Sequence, residues 1–440
     1  MVPSAVVHGS RLRGIGRLLA LGTALVAVAY FIWTPFDVPV RSSGALGSTV
    51  AVGVAGCALG VFLSYLLLSR PATGDDGKVV LLVAWIVGAF GLSIVIHGGI
   101  LGPLEYTGNF LFRLMTVLAA LATGHRLGLK GILSPRWAGF VGAAVVLAIA
   151  VMMGLAWARG VWVDMYLGQG VTVIGTPGGQ GIQAYLLAFS VPLLLLIRNN
   201  VLRSALVLLA LVAVALTYRR GPFLCAAVPV ALLPFFDRRR QSGRRWYLDF
   251  LVVVAAGMVA IELVGAHTIF ARWEALIEGN RWALSERDVI YATLLSHVFP
   301  LQEQIVFGRG IGSTGVILSL AVGRYIFAHN DWLELLVSVG LFGTIPFLLL
   351  NLTLLRGVVR GIRTDRYVGF VAAALYVQFF IAGWTEGVLY GAQHGAFLTF
   401  FLGWCIAWAR RARIAHGKGS LPGFWTGTSR TNHSALGAVT

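Results

Sequence analysis

Charge is what this chain has least of. Asp, Glu, Lys and Arg make up 12% of its 440 residues, against ~25% in an ordinary soluble domain, and 58% are apolar. That balance excludes a water-soluble protein. The mean hydropathy is +0.83, and apolar runs near 20 residues long recur from one end to the other, matching the hydrocarbon thickness of a bilayer. The fold class that follows is an all-α polytopic membrane protein, a helix bundle in lipid.

Cysteine is nearly absent as well. Cys57, Cys225 and Cys405 each fall inside an apolar run with no Cys-x-x-Cys or Cys/His spacing, which excludes a disulfide framework and a zinc site. Acidic residues number 17 against 34 Lys and Arg, giving a formal charge of +17. In a soluble protein that excess would point to nucleic acid. In a polytopic chain it marks the loops that face the cytoplasm, so no nucleic-acid partner is expected and membrane lipids are.

Hydropathy predicts twelve spans, at 14–34, 45–68, 79–98, 107–124, 137–157, 181–198, 201–217, 221–236, 247–266, 332–355, 367–384 and 395–409. The basic lead Arg11, Arg13 and Arg17 before the first run resembles a signal peptide, but retaining that run makes the loop charges alternate. With twelve spans both termini share one side. That side carries 24 of the 34 Lys and Arg, including Arg238, Arg239, Arg240, Arg244 and Arg245 in one turn and Arg356, Arg360, Arg363 and Arg366 in another, which makes it the cytoplasm. Residues 1–409 are thus expected to form one bundle, with a long outer loop at 267–331 and a polar, disordered cytoplasmic tail at 410–440. Within the loop, "HTIFARWEALI" and "RDVIYATLLSHVF" suggest short interfacial helices anchored by Trp273, Trp282 and Tyr291.

Three clusters carry chemistry. Arg219 and Arg220 stand at the outer end of the seventh span, in a loop too short to be exempt from the charge bias, and Gly221-Pro222 begins the next helix. Two guanidiniums beside a helix N-terminus suit a phosphate or pyrophosphate; the bland alternative is that both snorkel to lipid headgroups. The second cluster, "FAHNDWLELL", puts His329 at the outer face, with Asn330 or Asp331 as helix cap and Asp331 with Glu334 in a capping-box-like pattern. An imidazole with an unperturbed pKa near 6.5 suits proton transfer at the mouth of a basic site. The third is Arg287, flanked by Glu286 and Asp288 as its expected ion-pair partners, with Gly308, Gly310 and Gly312 about twenty residues on as a flexible turn. Arg113 lies inside a span, where an arginine costs on the order of 3 kcal/mol unless it snorkels or faces the bundle. His97 and His394 fall at outer span ends, either as core histidines or lining the same cavity.

These residues resemble the O-antigen ligase and O-antigen polymerase superfamily of bacterial membrane glycosyltransferases. The matching pieces, in family order, are Arg220-Gly221 at a span end, Arg287 ahead of the Phe307–Gly312 turn, and His-Asn-x-x-Leu-Glu followed by two glycines: His329, Asn330, Leu333, Glu334, Gly340 and Gly343. Two departures stand out: Tyr218-Arg219-Arg220 where ligases often have Ser-Arg, and no proline just ahead of the glycine turn. The resemblance implies a twelve-span inner-membrane enzyme with a periplasmic site. It would move a glycan whole from undecaprenyl pyrophosphate to a lipid A core sugar or, in a polymerase, to another lipid-linked glycan. It further implies His329, Arg220 and Arg287 as catalytic residues, with Arg219 and Asn330 binding pyrophosphate or acceptor; Arg113, His97 and His394, by their places near outer span ends, are candidates to line the same site. The moderate loop length favours the ligase. A twelve-span transporter and a non-catalytic assembly partner are the readings from other classes.

No cofactor is expected, because the outer loops contain no Asp-x-Asp and no His/carboxylate cluster of metal-ligand spacing. Glycan transfer by the purified protein should therefore persist in excess EDTA; loss of activity that Mg²⁺ restores would contradict this.

Overall fold

The computed structural model describes residues 75–99, 101, 104–131, 133–158, 179–217, 219–236, 287–298, 302–323, 325–389 and 391–417. Among these residues the only regular structure is helix. The helices are α1 (Asp75–Ile96), α2 (Leu104–Lys130), α3 (Pro135–Ala158), α4 (Gly179–Leu194), α5 (Asn200–Ala215), α6 (Arg220–Phe236), α7 (Arg287–Val298), α8 (Gln302–Phe307), α9 (Ser313–Val322), α10 (Asp331–Thr364), α11 (Arg366–Thr385) and α12 (Ala392–Gly417).

Nine of the twelve predicted segments coincide with a helix, and 14–34, 45–68 and 247–266 lie outside the described residues. Four helices, α1, α3, α10 and α11, are long and apolar enough to cross a membrane. The chain is thus a helical membrane protein by these elements. Of the others, α2 and α12 have the length, with 27 and 26 residues, whereas α4 and α5 fall short of it for local reasons. α4 and α5 have 16 residues each and would reach ~24 Å, short of a ~30 Å core. α4 ends in a tight turn in which Leu195, Leu196 and Ile197 N–H bond three residues back, and Asn199 then caps α5 by accepting from Leu202 N at 3.1 Å.

Two further expectations are corrected. Arg356, Arg360 and Arg363 were expected in a turn with Arg366, but they ride the end of α10, where their charge suits the helix C-terminus, and Asp365 alone separates α10 from α11. The tail was expected to begin at 410; α12 continues to Gly417.

Packing follows small residues. α2 lies along α12 because Gly124 and Gly128, one turn apart, meet the Phe400 and Trp404 carbonyls, where a Cβ would come within 2.0 and 2.4 Å. Gly403 returns the contact against the Leu121 carbonyl, and Thr399 Oγ1 donates to Val117 O at 3.0 Å. Gln378 of α11 donates through Nε2 to Ala188 O of α4 at 2.8 Å and to Cys225 O of α6 at 2.7 Å. The polar side chain is thus spent inside the bundle, while Leu81, Val95, Phe140 and Leu348 stay exposed, as lipid-facing residues should. Outside the main core, Ile290 and Leu294 of α7 pack with Ile317 and Leu318 of α9 and Val337 of α10, forming a second, smaller core for the loop helices.

α10 is two helices joined at Gly340, whose φ of 62° and ψ of −161° are non-helical. The break frees the Val337 and Ser338 carbonyls, and the glycine turn satisfies them: Arg309 N donates to Val337 O at 2.7 Å and Gly310 N to Ser338 O at 3.2 Å. The Gly308–Gly312 turn, expected to be flexible, is instead buried packing built from left-handed glycines. A Cβ on Gly340 would lie 2.4 Å from Val306 O, on a backbone that L side chains rarely adopt. Gly340→Ala should therefore cost on the order of 2 to 5 kcal/mol, measured as a lower Tm by fluorescence in detergent. Gly88→Ala, which meets nothing within 4 Å, should leave Tm unchanged. Equal melting of the two variants would contradict the packed break.

Candidate functional site

The site grows from the start of α10. Asn330 is its N-cap: the side-chain Oδ1 accepts from Trp332 N at 3.0 Å and Leu333 N at 3.2 Å. The expected Asp331/Glu334 capping box therefore does not form: the cap is Asn330, one residue earlier. Glu334 reaches back to accept from Ala328 N at 3.2 Å and from Ser338 Oγ at 3.2 Å. Asp331, 1% exposed, turns across the bundle and accepts from Val388 N at 2.8 Å and Leu389 N at 3.1 Å. One carboxyl thus ties the start of α10 to the turn between α11 and α12.

That turn carries Glu386. Its N–H and that of Gly387 both bond Ala382 O at 2.9 Å, with Gly387 in the left-handed conformation at φ 82°, so α11 stops sharply and Glu386 caps it. Arg287, the first residue of α7, meets Glu386 with Nη2 2.7 Å from Oε2. Of the two sequence neighbours expected to pair with Arg287, Asp288 is exposed and forms no ion pair with it, and Glu286 lies outside the described residues. Tyr291, expected as an interfacial anchor, instead donates through its hydroxyl to Trp384 O at 3.2 Å and His329 O at 3.4 Å. Burial pushes the Tyr291 phenol up, against the opposing pull of Arg287. Trp273 and Trp282 lie outside the described residues.

His329 sits between these elements. Its φ of 51° makes it the one non-glycine residue with positive φ among those described, a conformation that costs about 1 kcal/mol and is held by the Asn330 cap, Glu334 and Tyr291 around it. Burial holds the imidazole below its ordinary 6.5; Glu386 opposes that shift, and Arg287 and Arg219 add to it. At pH 7 the ring is neutral, with one nitrogen free to accept a proton.

Arg219 immediately precedes α6, and its charge reaches His329. Arg220 begins α6, and its side chain lies outside the described set. Gly221 explains how this turn comes so close: a Cβ there would lie 2.4 Å from Tyr185 Oη and 3.3 Å from Thr385 Oγ1, the residue before Glu386. Tyr185 and Thr385 share a hydrogen bond of 3.2 Å. His394 is buried and stacks on Tyr185 with ring centroids 5.2 Å apart, within electrostatic reach of both Glu386 and Arg113. Arg113 is partly buried, and its charge acts on the buried His394 ring. His97 is elsewhere: its ring packs against Gly310, where a Cβ would lie 3.1 Å away, beside the glycine turn.

The structure thus gathers His329, Asn330, Arg287, Arg219, His394 and Arg113 at one end of the bundle, and leaves His97 outside. Sequence reasoning missed Glu386, Tyr185 and the roles of Asp331 and Glu334. Glu386 had one signal, a carboxylate in a turn expected to face outward in a chain poor in acids. Among the described residues no three His, Cys, Asp or Glu side chains converge as metal ligands do. Compared with known proteins, the chain matches no family model and no curated protein.

The charges around His329 predict opposite shifts. In Glu386→Gln the imidazole should titrate at lower pH than in the wild type, and in Arg287→Gln at higher pH, read by NMR of ¹³C-labelled histidine. Shifts of the same sign would contradict the arrangement. Because the folded value lies below the unfolded one, the stability that neutral His329 contributes is full above pH ~6.5 and declines as the pH falls through the folded value.

Proposed function

We propose that this protein is an O-antigen ligase-like glycosyltransferase of the bacterial inner membrane. In this reading it has twelve spans, both termini in the cytoplasm and its site at the periplasmic face. The donor is a glycan on undecaprenyl pyrophosphate and the acceptor a hydroxyl of a lipid A core sugar. The observation that carries the reading is the meeting of Arg287, Arg219 and a neutral His329 at the end of the bundle where α6, α7 and α10 begin.

The chemistry is a single displacement with inversion. The acceptor oxygen attacks the anomeric carbon, the new C–O bond forms, and the bond to the pyrophosphate oxygen breaks. His329 takes the hydroxyl proton as its ring becomes cationic. Arg219 or Arg220, with Arg287, stabilises the charge that gathers on the departing lipid diphosphate, which is electrostatic catalysis. Arg113 and His394, deeper in the same field, line the acceptor side. Asn330 acts through the backbone: as cap it fixes the angle at which His329 leaves the helix.

One observation favours a transporter, the broken helix α10, since such helices form ion and substrate sites in that class. At this break the freed carbonyls of Val337 and Ser338 are taken by Arg309, Gly310 and Ser93, which leaves them committed to structure.

The lipopolysaccharide ladder of a strain lacking the gene, complemented with wild type or variants, tests the reading. Core bearing no O-antigen is the expected result, restored by wild type. His329→Ala and Arg287→Ala, inserted normally, should each lower transfer by a factor of roughly 10² to 10⁴. Core bearing a single repeat would assign the polymerase activity instead. A normal ladder after deletion would contradict both.

A further inference from the structure

Arg287 and Glu386 each sit at the wrong end of a helix. Arg287 is the first residue of α7, where the macrodipole is positive, and Glu386 caps the C-terminus of α11, where it is negative. Each charge is disfavoured by its own helix, so the placement is not explained by helix stability. Their contact, 2.7 Å between Nη2 and Oε2, is the arrangement that both positions serve.

The pair also differs from the other carboxyls nearby. Asp331 and Glu334, each 1% exposed, are committed to the backbone N–H groups of residues 388, 389 and 328. Arg287 and Glu386 keep 31% and 27% of their side chains exposed, so a ligand can reach them. The backbone beneath Glu386 is rigid, held by Ala382 O on one side and by Asp331 through residues 388 and 389 on the other. Its carboxylate can change rotamer while the turn stays in place. Arg287, Arg219 and Arg113 all lie in the electrostatic field of groups that Glu386 also reaches.

We propose that Glu386 occupies the place of a substrate anion: its carboxylate holds Arg287 in position and gives it up to the diphosphate of a lipid-linked donor. This rests on the diphosphate reading of the site given above. The exchange is favourable because a diphosphate offers Arg287 more acceptor oxygens and more charge than one carboxylate, in the bidentate geometry guanidinium prefers. Glu386 is thus a positioning residue. It keeps the Arg287 side chain extended towards the site, and its own charge, once released, stays beside His329.

The test is titration of inorganic pyrophosphate into the full-length protein in detergent, followed by calorimetry, for four forms: wild type, Glu386→Gln, Arg287→Gln and the double variant. Displacement predicts that Glu386→Gln binds about three- to tenfold more tightly than wild type, because the competing ion pair is gone. In the Arg287→Gln background the same substitution should change affinity less than about twofold. Equal tightening in both backgrounds would mean that Glu386 merely repels anions, and weaker binding in Glu386→Gln would mean that it only supports the fold; either overturns the inference and leaves the diphosphate reading standing. Absence of binding to wild type and to Glu386→Gln alike overturns both. Because Glu386→Gln preserves shape, its thermal unfolding should match the wild type; if it does not, Glu386→Asp, which keeps the charge on a shorter arm, should bind pyrophosphate with an affinity between wild type and Glu386→Gln, and wild-type affinity in that variant would overturn the inference.

Discussion

A carboxyl group without solvent must be met by donors, and the way Asp331 meets this demand organises the site. It accepts from the Val388 and Leu389 N–H groups, so the start of α10 and the turn after α11 are held as one unit. His329, Asn330 and Glu386 hang from one side or the other of that tie. His329 and Asn330 precede Asp331 on one strand of the chain, and Glu386 precedes Val388 on the other. One residue, Asn330, separates His329 from Asp331, and one, Gly387, separates Glu386 from Val388, which brings an imidazole and a carboxylate into the same field from positions 57 residues apart.

The remaining elements close around that unit. α7 delivers Arg287 from the loop, supported by its own small core against α9 and α10. The turn before α6 delivers Arg219, allowed close by a glycine that leaves room for Tyr185 and Thr385. The result is a cluster of arginines and histidines with the accessible Glu386 carboxylate ion-paired to Arg287, at the end of a bundle whose outer faces are apolar. In the proposed function such a place would take an anionic headgroup on a lipid, the charge finding partners at the bundle end while the lipid remains beside the helices.

Much of this was legible in the sequence. The periodicity and length of apolar runs located nine described helices, since burial in a bundle in lipid leaves few alternatives. Arg219 stood out because paired cations in a short loop expected to face outward defy the charge bias, His329 because an imidazole suits proton transfer, and Arg287 because it opens an expected loop helix ahead of the glycine turn. What escaped notice was what depends on pairing across the chain. Glu386 lies 99 residues from Arg287, and no local pattern joins them. Asp331 and Glu334 carried a familiar capping spacing, yet Asn330 supplies the cap, Asp331 is turned to a tertiary contact and Glu334 to Ala328 and Ser338 nearby. The glycine turn was misjudged for the same reason: its mobility in isolation is removed by the broken helix it packs against.

The central claim is that one anionic ligand is held jointly by Arg287 and Arg219 beside His329. Its most direct test is a cryo-electron microscopy structure of the full-length protein with undecaprenyl pyrophosphate. The account predicts diphosphate density within hydrogen-bonding distance, ~3 Å, of the Arg287 guanidinium, with Arg219 on its other side and His329 facing it. Density for the diphosphate at any other place on the bundle, with Arg287 still joined to Glu386, would contradict it.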